Sequence, residues 1–276
     1  MIRTAFLAVS FTLLIAPVVS SQNLVPSSMQ QTNPIPVTNT GSSAPAPELS
    51  PRQMLELRGD IFVARKMYLD AIHTYEQVLA QDPKNALVLN KIGVAYQQLG
   101  NYPHAERYYK RAVKADKTFS TSLNNLGTIQ YDHQNYRKAA RYYKQAIRLH
   151  PEVATYFSNL GYAYYSDKRY TDAMDAFQQA TQLDPNIFEH KGGTGAVIQQ
   201  RSMVDPGMFY FMVAKTYALA GDAEHCAHFL TIARDEGYKL LDAAQKDPSF
   251  AKVIKDPRVQ AVFQLNDLAD APHSPS

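Results

Sequence analysis

The chain has 276 residues, of which 45% are apolar, enough to bury a sizeable core. Its 28 basic and 25 acidic side chains leave a formal charge of +3, which argues neither for nor against nucleic acid. Cys226 is the only cysteine, so an internal disulfide is excluded and stability must come from packing.

Residues 1–20 read as a secretory signal peptide, which ends at residue 21 at the latest. Arg3 gives a positive start, and residues 5–19 form an apolar run too short to span a bilayer. Val18 with Ser20, or Val19 with Ser21, offers a small-residue cleavage site that leaves Ser21 or Gln22 at the mature N-terminus. The expected location is the periplasm or outside the cell, with no membrane span after cleavage; an uncleaved anchor is the alternative. Residues 22–50 hold Pro26, Pro34, Pro36, Pro45 and Pro47 among Ser, Thr, Asn and Gln, with Glu48 the only charge. Too little apolar surface is present to offset chain entropy, and a disordered linker is expected. Ser50, Pro51 and Gln53 then mark a helix start: N-cap, first-turn proline and capping-box acceptor.

From there the chain repeats every 34 residues. Leu55, Gly59 and Phe62 recur as Leu89, Gly93 and Tyr96, and as Phe157, Gly161 and Tyr164. Between these lie Leu123 and Gly127, with Tyr131 one place late. The second half of the unit keeps step as Ala71, Ala105, Ala139, Ala173 and as Tyr75, Tyr109, Tyr143, Phe177. Counting Arg52 as position 1, apolar residues at 4, 7, 8 and 11 form one helical stripe, and those at 20, 24 and 27 form another. A turn such as "QLGNYPHA" separates the two helices, and Asp-Pro or Pro151 closes the unit. Small residues at 8 and 20 let the helices approach, and the aromatic at 24 fills the layer beside them. A period of this size marks a solenoid and makes binding or scaffolding the expected function.

The units "LNKIGVAYQQLGNYPHAERYYKRAVKAD", "LNNLGTIQYDHQNYRKAARYYKQAIRLHP" and "FSNLGYAYYSDKRYTDAMDAFQQATQLDP" resemble the tetratricopeptide repeat (TPR) family. "LELRGDIFVARKMYLDAIHTYEQVLAQDP" fits less closely, with Arg58 in place of a large apolar residue. The resemblance implies an all-α, right-handed solenoid of antiparallel helix pairs over 51–187, of the exported bacterial type, and binding of extended peptides on its concave face.

An insertion follows at 188–206, where "IFEHKGGTGAVIQQR" can form a small β-hairpin at 187–201. Its "GGTG" lacks the Lys-Ser/Thr pair of a phosphate loop. A fifth unit is expected at 207–236, starting at Gly207, with Cys226 in the small buried position 20. Residues 237–266 break the period. Phe250, Val253, Ile254, Val259, Val262 and Phe263 predict a short-helix cap over the end of the stack, and 267–276 a frayed tail.

Neither a nucleophile elbow, nor a zinc-protease motif, nor an EF-hand, nor a Walker sequence is present, so the chain is not expected to be an enzyme or to carry a cofactor or metal. Asp222, His225 and His228 share a helix face but find no partner to complete a tetrahedron. The expected partner is a protein or peptide, not nucleic acid. Its site is the side of the first helices that carries Asn90, Gln97, Asn124, Asn125, Tyr131, Asn159, Tyr162 and Tyr165. Asn can donate to and accept from a backbone, and Tyr adds flat contact area. Asn at position 6 fits equally a role in stabilising the helix surface, and both readings stay open. Because neither Asn125 nor Asn159 lies on the packing stripe, their replacement is expected to leave folding intact. Glu56 and Asp60 stand where carboxylate-clamping members of the family have Lys and Asn; they disfavour that activity and favour a basic end of the bound segment. A second surface is the outer face of the second helices of units two and three. There Arg107, Lys110, Arg111, Lys114, Arg137, Lys138, Arg141, Lys144 and Arg148 suit either plain solvation or an anionic partner. Two other functions compete with groove binding: a structural assembly factor of the envelope working through convex or end surfaces, and an enzyme built from the insertion and C-terminal region.

Overall fold

Ser50 opens the first helix in the expected way. Its Oγ accepts from the Gln53 backbone N–H at 3.3 Å, and the Gln53 side chain accepts from the Ser50 N–H at 2.8 Å. The computed structural model describes residues 49–189, 205–238 and 244–269, all within one unit of the chain, Glu48–Ser276. Helix pairs follow in order: α1 (Pro51–Ala64) and α2 (Tyr68–Gln81), α3 (Ala86–Gln98) and α4 (Tyr102–Ala115), α5 (Ser120–Asp132) and α6 (Tyr136–Leu149), α7 (Ala154–Ser166) and α8 (Tyr170–Leu183). A fifth pair, α9 (Pro206–Ala220) and α10 (Ala223–Asp235), is followed by a 3-10 turn at Pro248–Phe250 and by α11 (Pro257–Ala269). Each helix packs on its neighbours in chain order, and α8 packs on α9 across the interruption. Among the described residues there is no strand. The hairpin expected at 187–201 falls mostly outside them; Ile187 to Glu189 form a turn, with Ile187 N–H donating to the Asp184 carbonyl at 3.1 Å.

The apolar stripes become the core as read. Within each of the first four units, the position-24 ring lies over the position-8 glycine. A Cβ on Gly93 would stand 2.5 Å from Tyr109 Cε1, and one on Gly127 the same 2.5 Å from Tyr143 Cε1. No real Cβ tolerates that distance, so glycine is needed for the ring to seat. In the fifth unit position 24 is Leu230 and position 8 is Ala214, both fully buried. Loss of the ring releases the glycine.

Each pair turns through the same left-handed residue at position 15. Glycine supplies it at Gly100 (φ 72°) and Gly221 (φ 86°), but Lys66, Gln134 and Lys168 adopt φ near 60° in the other units. A two-bond terminus recurs at each: Gln134 N–H donates to the Tyr131 carbonyl and Asn135 N–H to the Gln130 carbonyl, both at 2.8 Å.

The C-terminal end is covered as expected. Phe250, Val253, Val259, Val262 and Phe263 are buried with α9 and α10, and Cys226 is fully buried, its thiol pushed up to about 12 by burial. α11 runs to Ala269, past the 267 boundary expected for the tail. Phe188, read as the first residue of the insertion, belongs to the core: its ring meets Phe177 at 5.4 Å and Phe209 at 6.3 Å.

Candidate functional site

The row of side chains on α3, α5 and α7 that was expected to face a peptide is instead tied together across the units. Asn125 Nδ2 donates to Asn90 Oδ1 at 3.0 Å, and Ser122 Oγ donates to the same oxygen at 2.9 Å. One unit further on, Asn159 Nδ2 donates to Asn124 Oδ1 at 2.8 Å. Asn90, Asn124 and Asn125 are each 7% exposed and Asn159 is fully buried. The stripe reading therefore missed a second packing contact: positions 5 and 6 face the adjacent first helix, and their amides form a ladder from α3 through α5 to α7. Replacing Asn125 or Asn159 would break bonds within the fold, contrary to the expectation that folding is indifferent to them.

The remaining expected site residues are also engaged. Gln97 Oε1 accepts from Tyr109 OH at 2.7 Å. Tyr131 OH lies 2.8 Å from Ser166 Oγ, and burial pushes its phenol up to about 12. Tyr165 OH donates to the Asp205 carbonyl at 2.6 Å, reaching the fifth unit. Tyr162 is fully buried and stacks on Phe209 at 5.2 Å, with Phe177 edge-on at 5.6 Å. It is a joint between units four and five.

The acidic start differs as well. Asp60 accepts from Lys91 Nζ at 2.7 and 2.8 Å and from Tyr75 OH at 2.5 Å. Its charge is answered within the fold, so it no longer favours a basic ligand. Glu56 lies 3.6 Å from Arg52. Lys91 escaped the sequence reading, although it occupies position 6, where the next two units have Asn125 and Asn159.

Two acceptors in this neighbourhood have no donor. Asn159 Oδ1 and Asp132 Oδ2 are the buried side-chain atoms without a hydrogen-bond partner among the described residues. Asp132 follows Tyr131 at the end of α5. Desolvation pushes its carboxyl up to about 6, with the adjacent His133 opposing. Leaving a buried acceptor unpaired costs about 1–3 kcal/mol. Of Asp222, His225 and His228, the first two are engaged in the fold: Asp222 caps α10 by accepting from His225 N–H at 3.1 Å, and its other oxygen meets His225 Nδ1 at 2.6 Å, while His228 is exposed. Among the described residues no group of His, Cys, Asp or Glu is placed to hold a metal, and no helix is long and apolar enough to cross a membrane.

With the stack and its inner row in view, the comparisons with known proteins agree on the fold. Tetratricopeptide-repeat profiles match residues 59–100, 86–119 and 124–186, the second of these spanning one whole 34-residue unit. Residues 59–186 are built of tetratricopeptide repeats. Among solved structures, pilF of Pseudomonas aeruginosa is 19% identical, with 81% of this chain and 93% of that one covered at a TM-score of 0.50. MamA of Desulfovibrio magneticus RS-1 is 15% identical, covering 71% of this chain and 97% of its own at 0.48. YrrB, described as a TPR protein with an unusual peptide-binding site, is 17% identical, covering 70% and 91% at 0.45. No curated protein matches the chain.

Proposed function

We propose that this protein is an exported scaffold of the cell envelope that holds an extended segment of a protein partner along the first helices of units two to four. One observation carries the reading: the inner row is polar where a core would be apolar, and beside it, next to Tyr131, the partly exposed Asp132 carboxylate has an oxygen without a donor. A backbone N–H or a cationic side chain from a partner can meet the partly exposed Asp132 carboxylate, which makes the favoured ligand a donor-rich segment. The Asn ladder holds α3, α5 and α7 in register, and Tyr131 and Tyr165 fix the ends of their helices to the next unit. These residues then act as the frame of the site, and the exposed Leu87 and Thr121 beside them are open to contact. Export rests on the signal-like residues 1–20, and the scaffold role on the repeat fold.

The test is selection of displayed peptides on the full chain, followed by crosslinking from a photoreactive residue at Leu87 or Thr121. Selected peptides that crosslink at these positions and compete with one another support the reading. Peptides that crosslink only from α4 or α6 would contradict it.

A further inference from the structure

The outward faces of α4 and α6 carry more charge than the fold pairs. α4 has Arg107, Lys110, Arg111 and Lys114 against one acid, Glu106, and α6 has Arg137, Lys138, Arg141, Lys144 and Arg148 against none. Lys110 is held by Glu106 at 2.7 Å and Arg137 by Asp167 at 3.3 Å. Arg111 lies over the Tyr108 ring and Lys144 over the Tyr164 ring. No other cation of the two helices has an ion-pair partner among the described residues. Like charges recur at i,i+4, as Arg107 with Arg111, Arg137 with Arg141 and Lys144 with Arg148, a spacing that weakens a helix. Arg137 and Lys138 also sit in the first turn of α6, at the positive end of its dipole. Apart from Lys114 and Arg148, which lie in the last turns where the dipole favours them, this distribution works against the stability of the helices themselves. It is also local, since α2 and α8, in the same place in units one and four, contain no Lys or Arg.

Open grooves follow these cations. One runs along α4 among Pro103, Glu106, Arg107, Lys110 and Lys114. Another crosses the start of α6 among Gln134, Tyr136, Arg137, Lys138 and Arg141. We propose that the outward face of α4 and α6 is a second docking surface, and that it takes an acidic segment of a protein. Charge complementarity names the ligand's sign. The surface chemistry names its class. The exposed large apolar residues include none on α4 and only Leu149, at the far end, on α6, so the face has nothing to insert into a bilayer. Glu106 interrupts the α4 groove, which suits spaced carboxylates better than a continuous phosphate backbone.

The test titrates the full chain against a labelled peptide alternating Glu and Ser, at low and high salt, with anionic phosphatidylglycerol vesicles and duplex DNA as parallel probes. The peptide is expected to bind most tightly and to weaken with salt. Combining Arg107→Glu, Lys114→Glu and Arg141→Glu should weaken it by about tenfold or more, while Lys117→Glu with Lys246→Glu and Lys255→Glu should stay within about threefold. If the first triple variant does not fold, the three Gln replacements at the same positions should still weaken binding. No peptide binding, equal losses in both triple variants, or tighter binding of vesicles or DNA would overturn the proposal.

Discussion

Tyr143 rests directly on Gly127: a Cβ there would lie 2.5 Å from the Tyr143 ring, which is itself fully buried and cannot withdraw. Gly127→Leu should therefore destabilise the protein by about 1–3 kcal/mol through overpacking. Ala214 facing Leu230 in the fifth unit suggests the remedy. Gly127→Ala combined with Tyr143→Leu should be less harmful than the two separate losses added, with a coupling of about 0.5–3 kcal/mol. Denaturant titration of the four proteins measures it, and strict additivity would count against the pairing.

The left-handed residue at position 15 gives a prediction of opposite sign. Gln134 holds φ 60°, a conformation that glycine adopts without strain. Gln134→Gly should stabilise the protein by about 0.5–1 kcal/mol, whereas Gly100→Gln should cost a similar amount. Thermal melting checks both. A lower melting temperature for Gln134→Gly would show that the turn carries no strain.

The Asn ladder makes Asn124→Ala a folding variant. It leaves Asn159 Nδ2 buried without its acceptor, at a cost of about 1–3 kcal/mol. Asn125→Ala should cost less, since Asn90 Oδ1 keeps Ser122 as a donor. Equal stability of wild type and Asn124→Ala in urea would refute the ladder.

Asp132 predicts a pH dependence. Burial raises its folded carboxyl to about 6, above the ordinary aspartate value that holds in the unfolded chain. The unfolded state therefore ionises first as pH rises, and stability falls between the ordinary value and about pH 6. Above that window Asp132→Ala should melt higher than wild type; at acid pH, where both states are protonated, the difference should vanish. A constant difference at every pH would contradict the burial of that carboxylate.

Export is tested by intact mass of protein from its native host. Loss of residues up to Ser20 or Ser21 is expected, and a full-length species held in the inner membrane would refute cleavage.

Much of the fold was legible because the 34-residue step repeats the same volume constraint. Gly59, Gly93, Gly127 and Gly161 each stand sixteen residues before a ring, and that pairing alone fixes the crossing of two helices. The site was less legible. Periodicity identifies which face of a helix meets its own partner, but α3, α5 and α7 also approach one another side by side. Asn90, Asn125 and Asn159 look like surface amides in a helical wheel and turn out to bond across units thirty-odd residues apart. Lys91 and Asp60 were readable as opposite charges, yet only the stacking of α1 on α3 through α2 brings them to 2.7 Å. Tyr162 was misplaced for a related reason: its neighbour Phe209 lies beyond an interruption that breaks the count.

The most direct measurement compares the affinity of a peptide selected on the full chain for wild type and for Asp132→Ala. If the inner row receives donors from a bound segment, removing that carboxylate should raise Kd about tenfold to a hundredfold, the loss of one charged hydrogen bond, while the variant melts higher at neutral pH. An unchanged Kd in a well-folded Asp132→Ala protein would contradict binding at the inner row.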